Sequence, residues 1–133
     1  MKDLLVRVKK FKDTLIAIEM DINVIEMDLN SISKDMVTLT SIKEELEYNI
    51  DFLKKEGVIA VASEYKKSLV QLDKVNKKIF KFKTLKNILT GNLSDKEKSH
   101  KYYFKEYEKA HRLVENERVI ISMDKYRKGK ADE

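Results

Sequence analysis

The chain has 133 residues, 38% of them charged and 8% aromatic, and a formal net charge of +5. It has no Cys, which excludes disulfides and thiol chemistry, and no Pro; Gly occurs only at Gly57, Gly91 and Gly129, so little interrupts a helix. Apolar runs are too short for a membrane span, and Lys2, Asp3 and Arg7 interrupt the N-terminus too early for a secretory signal, so a cytoplasmic protein is expected.

The first expected element is a long helix over about residues 2–56. Leu4, Val8, Phe11, Leu15, Ile18, Ile22, Ile25, Leu29, Ile32, Met36 and Leu39 follow one another at alternating steps of four and three. That 3.5-residue period draws one apolar stripe along a helix and demands a second helix to cover it. Past Leu39 the ladder reads on as Ile42, Leu46, Ile50 and Leu53, an extra step that implies a local change of pitch. Ile16, Met20, Val24, Met27 and Val37 lie outside the ladder, so two faces of this helix could be covered. A strand competes over Ile16–Val24, where apolar and other residues alternate, and Val58–Val61 and Val119–Ile121 are strand-like in composition. The helix is preferred because the ladder runs straight through and no turn signals flank the alternation.

Gly57 follows the cationic turn Lys54-Lys55-Glu56 and marks a helix end that needs a left-handed residue. A second helix is expected over about 58–90 and stops at Gly91. Ser94-Asp95-Lys96-Glu97 then reads as a capping box opening a third helix over about 95–126. The fold class is therefore all-α, an elongated antiparallel coiled-coil hairpin with a third helix. Residues 1–126 form one domain, and 127–133 form a disordered charged tail. At 1.5 Å per residue the helices span roughly 80, 50 and 48 Å. Helix 2 folded back at Gly57 reaches only to about residue 25, and helix 3 turns again beside the distal half of helix 1. Leu4, Val8, Phe11, Leu15, Ile18 and Ile22 are then left as an oligomer or partner interface.

Charge supplies the second functional lead. Between Lys66 and Lys86 lie eight lysines and one acid, Asp73, with Phe80 and Phe82 among them. Lys66, Lys67, Lys74, Lys77, Lys78 and Lys81 are candidate nucleic-acid contacts, as a basic helix can track a phosphate backbone. The preferred reading is internal: the lysines face the acids of residues 28–48 and set the pairing of the hairpin, with Phe80 and Phe82 in the core. The basic N-terminus (Lys2, Arg7, Lys9, Lys10, Lys12) beside Leu4, Leu5, Val8 and Phe11 fits an anionic membrane surface, but the ladder already uses those apolar residues. A third cluster, Lys96, Lys98, Lys101 and Lys105 with Tyr102, Tyr103 and Phe104, is balanced by neighbouring acids and reads as surface.

Catalytic constellations are nearly absent. Glu97/His100 and Glu108/His111 share the Glu-x-x-His spacing of di-iron bundles, but both pairs fall on one expected helix, about 16 Å apart, too far to share metals. Glu44, Glu47 and Asp51 line one face without a nearby His or Arg. No phosphate loop and no paired nucleophile are present. No enzyme activity, cofactor or metal is expected. Abundant Lys, Ile and Asn point to an AT-rich coding source such as many bacteria, phages or mobile elements. The layout resembles in outline small helical export accessories, assembly chaperones and phage accessory proteins, an analogy of fold alone. The expected function is that of a non-catalytic helical protein that self-associates and binds a protein partner. A basic oligomeric DNA- or RNA-binding factor is the alternative.

Overall fold

The computed structural model describes residues 1–57 and 62–131, which form two helices and no strand. Helix α1 runs Lys2–Glu56 and α2 runs Ala62–Ala131. Asp3 sits in the first turn of α1 and Lys54 and Lys55 in its last, each complementing the helix dipole. Gly57 has φ 96°, the left-handed conformation that ends the helix without a Cβ clash. The alternating Ile16–Val24 segment is helical, as is Val119–Ile121. The strand-like segment at 58–61 lies outside the described residues.

The expected break at Gly91 is absent. Instead of helices over 58–90 and 95–126, α2 passes through Gly91 and through the Ser94–Glu97 capping box. Gly91 has no positive φ, and Thr90 Oγ1 donates to the Lys86 carbonyl at 2.7 Å in the turn ahead of it. The physical reason lies in the register. Leu72, Val75, Ile79, Phe82, Lys86, Leu89, Leu93, Lys96, His100, Tyr103, Tyr107, Ala110, Val114 and Glu117 alternate at steps of three and four with no skip at Gly91. A Gly inside a helix costs about 1 kcal/mol. Stopping there would forfeit the burial of Ala110 and Val114, each 3% exposed, further along the same stripe. The helix also continues past Tyr126 to Ala131, so most of the expected tail is helical; residues 132–133 lie outside the described residues.

The chain divides into two packed units. Ile25–Leu93 is a helical hairpin about Gly57, with Ile32, Ile50 and Ile79 buried. Leu29, Met36, Leu39, Leu46 and Leu53 of α1 and Leu72, Val75, Phe82 and Leu89 of α2 are half-buried around them. The ladder of α1 does not shift after Leu39. Lys43 takes the next position, half-buried, while Ile42 is exposed. A lysine can hold a ladder position because its aliphatic stem covers apolar surface while its ammonium reaches water.

Met1–Val24 and Ser94–Glu133 form the other unit. Leu15 and Ile18 of α1 and Ala110 and Val114 of α2 are buried here, and the rings of Phe11 and Tyr103 lie 6.3 Å apart. The helices run antiparallel: Met1 meets Glu117, Glu19 meets His100 and Asp21 meets Lys96. The start of α1 is thus covered by the second half of α2, because α2 does not turn at Gly91. Among the described residues, only one face of α1 is covered. Ile16, Met20, Val24, Met27 and Val37, expected to support a second packed face, are 45–67% exposed.

Candidate functional site

The residues expected to form an oligomer or partner interface lie inside the unit that Met1–Val24 forms with the second half of α2. Leu15 and Ile18 are buried, and Leu4, Val8, Phe11 and Ile22 are half-buried. The premise that the first twenty residues lack an intrachain partner is therefore incorrect. The apolar residues that a membrane surface would need, Leu4, Val8 and Phe11, are the same ones turned toward α2. Leu5 and Val6 remain 42% and 51% exposed. Among the described residues no helix is long and apolar enough to cross a membrane.

Polar residues at ladder positions of α2 tie this unit together. Lys96 Nζ donates to Asp21 Oδ2 at 2.9 Å, His100 Nε2 lies 3.0 Å from Glu19 Oε1, and the Met1 ammonium lies 3.5 Å from Glu117 Oε1. Their side chains are partly exposed, so each contributes little stability. Their value is geometric: an antiparallel pair shifted by one heptad would separate all three. The Glu-x-x-His spacing has no metal geometry here. His100 faces Glu19 on α1 instead of Glu97, and His111 lies 4.0 Å from Glu115 instead of facing Glu108. No cluster of three or more His or carboxylate groups suited to a metal occurs among the described residues.

The lysine run differs from its preferred sequence reading. All eight lysines from Lys66 to Lys86 are exposed. Lys77 pairs with Asp73 on its own helix at 3.0 Å, and among the described residues no ion pair within 4 Å joins any of the eight to α1. Lys78 and Lys81 do share a surface groove of about 460 Å³ with Asp35, Thr38, Leu39, Phe82 and Leu85. Asp35 of α1 therefore lies near Lys78 and Lys81 without forming an ion pair with either. Phe82 is half-buried in that groove, whereas Phe80 is 71% exposed and not a core residue.

A surface that sequence reasoning missed lies at the far end of α2. Beyond Glu117, which meets Met1, the residues Val119, Ile120, Ile121 and Met123 are 41–58% exposed. The polar ladder of α2 could have disclosed this. Extending the three-and-four alternation through Lys86, Lys96 and His100 places Glu117 opposite the start of α1.

No protein-family model, curated protein or solved structure matches this chain.

Proposed function

We propose that the chain is a non-catalytic antiparallel coiled-coil protein that self-associates and presents helical surfaces to a protein partner, in an assembly, chaperone, inhibitor or adaptor role. One observation carries this reading. After the ladder is packed within each unit, Ile16, Met20 and Val24 remain 45%, 65% and 56% exposed at i, i+4 and i+8 on one face of α1. A contiguous apolar stripe on a surface otherwise rich in charge favours association with another helical face. The 3.5-residue period of both helices supports coiled-coil packing within the units.

Light scattering on the purified chain and on M20E/V24E tests the proposal. The expected result is a dimer or larger species for the parent and a lower mass for the variant, with the thermal midpoint unchanged. A monomeric parent at micromolar concentration would overturn self-association. An unchanged variant mass would move the interface off this stripe.

A further inference from the structure

The basic face of α2 carries charge that the fold leaves unused. Eight lysines and one acid lie between Lys66 and Lys86, and all eight lysines are exposed. Among the described residues only Lys77 of the eight is in an ion pair, with Asp73. Lys67, Lys74 and Lys81 recur every seven residues and so stand in line along α2, with Lys77 and Lys78 one turn from both Lys74 and Lys81. Phe80 stands 71% exposed among them.

We propose that this face binds single-stranded nucleic acid, with the lysines on successive phosphates and an unpaired base stacked on Phe80. A lysine is a flexible point charge suited to tracking a backbone without reading base edges. An exposed aromatic ring within a basic track adds a stacking platform that accepts any base. An anionic lipid surface is the weaker fit. The exposed apolar residues of this stretch, Leu69, Val70, Phe80, Leu85 and Ile88, fall in short separate groups with charged or polar residues between them, and do not line up as the long apolar face that inserts into a lipid surface. The inference does not depend on self-association, because Ile16, Met20 and Val24 lie outside the lysine face.

The test is fluorescence anisotropy of a labelled oligothymidylate of about twenty nucleotides with the full chain, at about 50 and 200 mM salt. Four or five phosphate contacts predict a log–log slope of about −3 for a single strand. K67Q/K74Q/K77Q/K81Q should weaken binding at least about tenfold at the lower salt and flatten the slope, with the thermal midpoint retained. F80A should weaken binding about tenfold and leave the slope unchanged. Three results would overturn the proposal: no binding at the lower salt, equal binding by the quadruple variant, or a lowered melt in that variant, which would make the lysines structural. Equal binding by F80A would remove the stacking contact and with it the single-strand assignment. Capture by phosphatidylserine vesicles without oligonucleotide binding would give the face to a lipid surface instead.

Discussion

The two packed units meet the same demand with different chemistry. In Ile25–Leu93 the ladder is mostly apolar, with Ile32, Ile50 and Ile79 at its centre; its lysines, Lys43 and Lys86, reach no charged group of the other helix, and no ion pair joins the helices among the described residues. In Met1–Val24 with Ser94–Glu133, α2 offers Lys96, His100, Tyr103, Tyr107 and Glu117 at the equivalent positions, and three of these reach charged groups of α1. Apolar burial is strong but indifferent to register, since one heptad of Leu and Ile packs much like the next. A polar residue at a ladder position contributes less and rejects the wrong register. The hairpin is already indexed by its short connection at Gly57. The terminal unit joins segments far apart in sequence, where charged ties can set which residues meet.

The largest effect that separates the units should come from Ile32→Asp. It places an unpaired carboxylate at a position 6% exposed among aliphatic neighbours, and a loss of about 3–5 kcal/mol is expected. Chemical denaturation followed by circular dichroism measures it. A loss below about 1 kcal/mol would mean that the aliphatic ladder is not the core of its unit.

Gly91→Ala should act in the opposite direction. Nothing lies within 4 Å of a Cβ built at Gly91, and its backbone is helical. Replacing it should stabilise the chain by about 0.5–1 kcal/mol through helix propensity and the lower entropy of the unfolded state. A destabilised variant would indicate a left-handed turn at Gly91 and two helices in place of α2.

The smallest effect tests the polar ties. A double-mutant cycle on Asp21→Ala and Lys96→Ala should give a coupling of about 0.5 kcal/mol, as expected for a pair whose side chains are 55% and 41% exposed. The coupling should shrink as salt is raised. Zero coupling at low salt would remove this ion pair from the register argument.

Much of this architecture was legible in the residues, and the failures have a common cause. The α1 ladder from Leu4 to Leu39, the cationic last turn and the helix end at Gly57 all follow from local periodicity and capping. Local rules also placed a stop at Gly91 and a start at Ser94, where packing of the distant stripe outweighs them. The same error left Leu4 to Ile22 without cover. Hydrophobicity alone selects Ile42 for the ladder, whereas the strict alternation selects Lys43, which is the half-buried residue. Pairing across many residues cannot be read from one helix. In α2 it is written in Lys96, His100 and Glu117, which look like surface residues until Asp21, Glu19 and Met1 are placed opposite them.

Continuity of α2 through Gly91 decides which residues meet, and a cross-link tests it most directly. The chain has no Cys, so a pair introduced as F11C/Y103C would stand alone. The parent rings lie 6.3 Å apart, and a short thiol-to-thiol cross-linker at low protein concentration should join the two positions within one chain, seen as a faster-migrating monomer band. V37C/Y103C serves as the comparison, because a turn at Gly91 would carry position 103 to the distal half of α1. Efficient intramolecular closure of F11C/Y103C, with none for V37C/Y103C, is the result expected. Closure of V37C/Y103C with F11C/Y103C left unlinked would contradict a continuous α2.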